Sequence, residues 1–487
     1  MSEHPKYDAI VVGSGPNGLA SAITLAQVGL SVAVFEAKET IGGGCRSMEL
    51  TIPGFVHDVC SAVHPMALDS SFFRTLPLEQ FGLEMIQPLA PLAHPLDDGT
   101  AVMLERSLEA TSAGLGNDAK AYRKLMTPLV AHWDKIKGSV REPLGPQIAL
   151  HPFARANFGL KAIRSARGLA ASLFKEERAS AIFAGMCAHS MMSLEQPSSA
   201  AAGLLLAIPG HTVGWPLPRG GSQKIVDALA AYLRSLGGEI ITGVEVKSIG
   251  ALPPTSIILF DVTPRQLLRI AGDHLPENYQ RQLRRYRYGP GIFKIDYALD
   301  DPIPWKAKEC LRAGTVHIGG TMPEIAASER AVTQGEHPEK PFVLVAQQSL
   351  FDPTRAPEGK HTAWVYCHVP NGSTFDMTER IESQIERFAP GFRDCMLARS
   401  TMTSLEVERY NANYVGGDIS GGVMDLRQYY MRPTIRPVPY TTPAKNIFIC
   451  SSSTPPGAGV HGLCGYFAAR AALRHLHRPS ERSGDAV

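Results

Sequence analysis

The sequence predicts an α/β chain in which a Rossmann-like dinucleotide-binding domain is interleaved with an α+β substrate domain. Three observations carry this: a strand, glycine turn, helix and strand at the start, a second glycine cluster ahead of a helix near the end, and several strand-like apolar runs between them. The opening unit says most. Tyr7-Asp8-Ala9-Ile10-Val11-Val12 reads as an apolar strand, followed by Gly13-Ser14-Gly15-Pro16-Asn17-Gly18, a helix over 19–28 and a strand over 31–35 that ends at Glu36. The first glycine permits the tight turn, the second lets backbone approach a pyrophosphate, and the third lets helix pack closely on strand. The helix N-terminus, with Pro16 and Asn17 beside it, offers unpaired N–H groups and a positive dipole end to phosphates. Glu36 stands where a carboxylate binds ribose hydroxyls and repels a 2′-phosphate. A lone GxGxxG is weak evidence, but here every part occurs in order and at the expected spacing.

The following segments favour FAD over NAD. Ile41-Gly42-Gly43-Gly44-Cys45-Arg46-Ser47 comes too soon after Glu36 for an ordinary third βα unit. Gly43 and Gly44 let the chain pass close to the cofactor, and Arg46 supplies a cation beside the pyrophosphate. The alternative is a flexible loop with a solvated arginine. Near the other end, a strand over 446–450 leads into Gly457-Ala458-Gly459-Val460-His461-Gly462 and a helix from 463 to about 475. Too little chain follows for a second dinucleotide unit, so Gly457, Gly459 and Val460 read as the approach to a flavin ring. The helix N-terminus there stabilises negative charge at the N1–C2 carbonyl region of the reduced ring. With no complete second unit for NAD(P)H, oxygen or a quinone is the expected electron acceptor.

These parts resemble the two-dinucleotide-binding-fold flavoproteins of the amine oxidase and phytoene desaturase type. Within them the chain is similar to the phytoene desaturase-related family of carotenoid desaturases, retinol saturase and the mitochondrial pyridine-nucleotide-disulphide-oxidoreductase-domain protein, and closer to the last than to true phytoene desaturases. The resemblance runs over almost the whole chain. It includes Gly54-Phe55-Val56-His57-Asp58, Gly214-Trp215-Pro216-Leu217-Pro218-Arg219-Gly220-Gly221-Ser222, Phe293-Lys294-Ile295-Asp296 with Pro304-Trp305, and Asn413-Tyr414-Val415-Gly416-Gly417-Asp418-Ile419-Ser420-Gly421-Gly422. It implies an FAD-dependent oxidoreductase that takes hydride from a largely apolar small molecule. It also implies an adenosine contact at Glu245-Val246, making Val246 a cofactor-binding residue. Two other uses of the fold stay open: an amine-oxidase-type enzyme, and an escort protein that carries lipidated partners without flavin. Intact glycines at both ends and Glu36 argue against the escort role.

Composition agrees with a soluble enzyme. At 487 residues the chain is long enough for two domains and a large core. A net charge of +2 argues against nucleic acid as a partner. Eight cysteines without a CxxC pair indicate neither a redox disulfide nor a zinc site, and reduced thiols in a cytoplasm are expected. Cys45 and Cys464 lack an attachment motif for a covalent flavin. The first strand begins within a few residues of the start, so no signal peptide is expected, and no apolar stretch reaches the roughly 20 residues of a membrane span. The stretch 153–174 reads as a basic amphipathic helix, either a peripheral membrane contact or a lid helix with a solvated basic face.

The expected organisation is discontinuous: residues 1–68, 220–264 and 440–478 for the FAD domain, 69–219 for a mostly helical cap, 265–439 for a sheet-containing substrate domain, and 479–487 for a frayed tail. A helix over 223–236, a strand over 239–247 and a buried strand over 257–261 belong to the second pass. Strand-like runs over 291–299, 315–319, 342–347 and 362–369 suggest the floor of a substrate cavity. Three residues are candidates for catalysis. Lys294, in an otherwise apolar strand, either faces the flavin or points to solvent or to Asp296. His57 lies near the re-entry to the ring, or is structural. His461 bonds the flavin or donates a proton, or caps a buried helix. Asp418 is a candidate base or a turn carboxylate.

Overall fold

The computed structural model describes residues 6–141 and 150–476; the expected tail lies outside them. In chain order the strands are β1 (Tyr7–Val12), β2 (Val32–Phe35), β3 (Ser47–Glu49), β4 (Val56–Asp58), β5 (Met85–Ile86), β6 (Ala90–Pro95) and β7 (Ala101–Leu104). Then come β8 (Leu217–Pro218), β9 (Glu239–Ile241), β10 (Thr255–Phe260), β11 (Gly291–Leu299) and β12 (Ala313–Ile318). β13 (Val343–Ala346), β14 (His361–Val369), β15 (Met396–Met402) and β16 (Ile447–Ile449) follow.

Two sheets organise the chain. The first has the order β16-β10-β1-β2-β9, with every pairing parallel. Ala9 and Val11 pack on Leu19, Ile23, Ile225 and Leu229 of the helices over one face. Ile10 and Val12 pack on Leu267, Ile270 and Tyr279 over the other. A parallel strand covered on both sides has no solvent face, which is why the run Ile10-Val11-Val12 is apolar without a break. The helix Pro16–Ala26 and the last helix, Leu463–Leu476, lie almost backbone to backbone. A Cβ on Gly465 would stand 1.8 Å from the Asn17 carbonyl oxygen, so only glycine fits there.

The second sheet has the order β15-β11-β14-β13-β12-β6-β7 and is antiparallel except where β12 meets β6. Its two faces differ. Phe293, Ile295 and Tyr297 of β11 join Val365 and Cys367 of β14 in a core closed by Ile381, Ile385 and Phe388 of the helix Thr378–Phe388. The alternate residues, among them Lys294, Asp296, Thr315, His317, Trp364, Tyr366 and His368, face the other way. They make a buried sheet face rich in polar and aromatic groups.

The stretch 69–219, expected as a mostly helical cap, also holds β6 and β7, which extend the second sheet. Ala90-Pro91-Leu92-Ala93-His94-Pro95 carries two prolines, which on sequence grounds argue against an inner strand, and its pairing partners override that preference. The strand expected over 239–247 stops at Ile241, because Gly243 turns the chain at φ 71° and Val244 N–H then donates to the Glu36 carbonyl, crossing the end of β2. The helix expected over 153–174 is two, Pro152–Ala162 and Ala166–Leu173. Ser165 breaks it by capping the second helix, its Oγ accepting from Gly168 N–H at 3.1 Å. Phe153 (89% exposed), Leu160 and Ile163 face outward, whereas Phe158, Leu169 and Ala170 join the core under the cap.

The Gly465 contact yields a direct expectation. Gly465→Ala should force the two helices apart and cost about 1–3 kcal/mol, read as a lower thermal midpoint. The same substitution at Gly29, whose Cβ would meet nothing within 4 Å, should lack that packing cost, leaving only its backbone strain at φ 86°.

Candidate active site

A cavity of about 660 Å³ lies between the C-terminal ends of β1 and β2 and the polar face of the second sheet. Its size suits a small-molecule or cofactor site, and its place at the ends of parallel strands is where such sheets bind ligands. Gly13, Gly15, Pro16 and Asn17 form its floor, and Glu36, Gly43, Gly44 and Arg46 one wall. The cradle is one that side chains would fill. A Cβ on Gly15 would come within 2.8 Å of the Asp261 carboxylate, and one on Gly44 within 1.9 Å of the Tyr414 hydroxyl. Val246 lines the cavity at the end beyond Glu36. Gly459 and Val460 line it from the loop before the last helix.

Gly18 and Gly457 do not line the cavity. Gly18 serves packing, since a Cβ there would meet the Gly13 carbonyl oxygen at 2.0 Å, and its N–H donates to Asp261 Oδ2 at 2.9 Å. Gly457 sits against the guanidinium of Arg432, 2.5 Å from a built Cβ. Glu36 is also more occupied than the ribose role suggests. Its Oε2 accepts from Ser14 N–H and Oγ–H at 3.0 and 2.6 Å, and its Oε1 from Lys38 N–H and Arg46 Nη2 at 3.0 and 3.1 Å. Arg46 in turn donates to the carbonyls of Thr40 and Gly43, so much of its donor capacity holds the glycine loop in place.

None of the candidate catalytic side chains lines the cavity. Lys294 and Asp296 sit two apart on one face of β11 and form a fully buried ion pair, the nearest countercharge winning over an exposed or open position. Burial pushes the Asp296 carboxyl up to about 6 against the pull of Lys294. His57 lies behind the same pair, its Nδ1 3.8 Å from Asp296 Oδ1 and its Nε2 2.8 Å from Thr51 Oγ1. Burial, with the charges of Lys294 and Arg355, pulls its imidazole down to about 3, so it is neutral. Lys294 and His57 therefore meet, but behind the wall. His461 caps the last helix, its Nδ1 accepting from Leu463 N–H at 3.0 Å. Asp418 is a turn carboxylate that accepts from the N–H groups of Gly289 and Ser420, each at 2.7 Å. The cysteines are all free thiols, with burial raising Cys45 to about 12 and Cys464 to about 11.

The cavity also holds residues for which sequence reading gave no role. Asp261, at the end of β10, borders the glycine turn, and burial together with the charge of Glu36 raises it to about 7. Its terminal position after an apolar strand was the available signal. Farther in, Met191, Leu206, Trp215, Leu344, Trp364 and Tyr366 make an apolar chamber with His189 and Thr315 set in its wall. His189 Nε2 and His317 Nε2 are 2.9 Å apart. Burial, then the neighbouring His368, draws His189 down to about 3 and keeps it neutral. No local pattern brings these residues together, because they come from the end of one helix, the interior of another, a loop and three strands. Among the described lining residues, every Asp, Glu, Lys and Arg stands at the glycine-turn end, around β2, Asp261 and the segments crossing them.

Comparison with known proteins agrees with this geometry. Residues 11–73 match a model described as an NAD(P)-binding Rossmann-like domain. The chain is 25% identical to the mouse pyridine nucleotide-disulfide oxidoreductase domain-containing protein 2, across 97% of this chain and 94% of that protein. It is 24% identical to phytoene desaturase of Fusarium fujikuroi, across 93% and 87%. It shares its fold with wild-type putrescine oxidase bound to putrescine, at a TM-score of 0.60 and 17% identity over 97% of this chain and 99% of the other.

Asp261 makes stability depend on pH in a definite sense. Its folded value of about 7 lies above the ordinary 3.8, so the native state holds a proton that the unfolded chain has lost. That contribution is full below about pH 4 and disappears as pH rises through 7, a difference of roughly 4 kcal/mol. In cofactor-free protein, Asp261→Asn should match the parent near pH 4 and exceed it above pH 7 in denaturant titrations. Parallel curves would contradict the assignment.

Proposed function

As a member of the phytoene desaturase-related family of oxidoreductases, this chain, we propose, binds FAD and takes hydride from a largely apolar, uncharged small molecule, with oxygen or a quinone receiving the electrons. The observation that carries the reading is the division of the cavity: charge and bare glycine backbone at one end, a chamber without a charged side chain at the other. The bare backbone at Gly13 and Gly15 and the start of the helix Pro16–Ala26 would hold the diphosphate, and Val246 would meet the adenosine end. Gly459 and Val460 would stand beside the ring system where the cavity turns into the chamber. FAD, when bound, supplies the hydride acceptor at N5. The chain's own contribution is to exclude water and hold the reacting C–H bond: Trp215, Trp364, Leu206 and Leu344 present apolar surface for this.

A second reading, oxidation of an amine, is favoured by the shared fold with putrescine oxidase. The chamber weighs against it for a cationic substrate, since no carboxylate among the described residues faces it to offset the cost of desolvating an ammonium. Trp364 and Tyr366 meet edge to face, at 72° and 5.1 Å between centroids, rather than as two parallel walls around a nitrogen.

The test is anaerobic reduction of the flavin-loaded protein. Neutral apolar compounds should bleach the flavin and admission of oxygen or a quinone should restore it, while NADH and NADPH should leave it oxidised. Rapid reduction by either nicotinamide would overturn the acceptor assignment, and ammonia release from an amine would move the second reading to the front.

A further inference from the structure

The chamber is apolar but not featureless. Thr315 on β12 and Trp364 on β14 both line it and are both buried, and neither Thr315 Oγ1 nor Trp364 Nε1 has a hydrogen-bond partner among the described residues. Their placement follows from strand register. Thr315 pairs with Ala346 and Ala346 with Trp364, so the three stand in one row across β12, β13 and β14, all on the chamber side. The middle residue is the smallest of the row. The next row along carries His317, and the Nε2 atoms of His317 and His189 lie 2.9 Å apart. His189, at the end of the helix Glu177–Ala188, also lines the chamber and meets His317, two residues along β12 from Thr315.

An unpaired hydroxyl and an unpaired indole N–H in a buried chamber are each destabilising unless something bonds them. A pure hydrocarbon would leave both unsatisfied. We propose that the substrate is an oxygenated apolar compound, an alcohol or carbonyl, whose oxygen is held at Thr315 and His189 with the Trp364 N–H as a further donor along the wall. The proposal rests on the oxidoreductase reading and narrows it to a substrate class. A hydroxyl there can donate to the neutral imidazole and accept from Thr315, and a carbonyl can accept from Thr315 or from the indole.

The sign of the preference makes the idea testable. A chamber blind to polarity favours a hydrocarbon over its hydroxylated counterpart, because the hydroxyl loses its water bonds on entry. A chamber built to bond the oxygen reverses the order. The probes are 4-isopropylbenzyl alcohol and its deoxy counterpart p-cymene, titrated calorimetrically into the purified flavin-loaded protein. The parent should bind the alcohol at least tenfold more tightly. Thr315→Val, which keeps shape and removes the hydroxyl, should lose about tenfold for the alcohol and stay within twofold for p-cymene. Thr315→Ser should keep the preference, and His189→Phe should reduce it. Equal or tighter binding of p-cymene by the parent, an unchanged preference in Thr315→Val, or no binding of either probe would each overturn the proposal. A preparation that holds no flavin would remove the oxidoreductase reading instead, and its absorption spectrum reports that separately.

Discussion

Asp58 sits fully buried where three stretches of chain meet, and its carboxylate bonds to all of them. Oδ1 accepts from Ser222 N–H at 2.8 Å and from Ser47 Oγ–H at 2.6 Å, while Oδ2 accepts from Arg355 Nη2 at 2.5 Å. Arg355 is equally buried and also donates to the Val56 carbonyl. Ser47 and Asp58 are paired across the small β3–β4 ribbon after the glycine loop, Ser222 opens the helix Gln223–Ser235 on the first sheet, and Arg355 follows β13 of the second. The Asp58–Arg355 ion pair thus ties the dinucleotide-side elements to the second sheet. Two charges taken from water are costly, and removing either partner alone would strand the other. The cavity lies between the two sheets that this joint ties together.

The polar face of the second sheet is the other half of that arrangement. Alternation along β11 and β14 sends one set of side chains into a sealed core and the opposite set toward the cavity. Near the Asp58 joint that opposite set is ionic, Lys294 with Asp296 and His57 behind them. Farther along it turns to Thr315, His317, Trp364 and Tyr366 and becomes the chamber. The charged residues there serve the joint rather than the reaction space, which is why the most conspicuous lysine in the chain lies behind the wall.

How much was legible follows from how local each signal is. The glycine turn, the acid after β2 and the loop before the last helix are contiguous motifs, and Gly13, Gly15, Glu36, Gly43, Gly459 and Val460 all stand on the cavity. The fold class rests on equally local periodicity and is what the relatives and the shared fold support. Lys294 and Asp296 share a strand face by spacing alone, so their pairing was readable as one of two outcomes. His189, Thr315 and Trp364 were not readable, because only the strand order β14-β13-β12 and the end of the helix Glu177–Ala188 bring them together. The break at Ser165 carried its own signal, a serine able to cap, but an apolar period running through it hid the boundary.

The proposed function requires the glycine-floored end of this cavity to hold FAD, with the ring system reaching toward the chamber. The visible spectrum of freshly purified protein, followed by acid release and mass identification of the chromophore, tests it most directly. Flavin bands with FAD as the released species are the expected result. Protein that carries no flavin and takes up none when FAD is added would contradict the account.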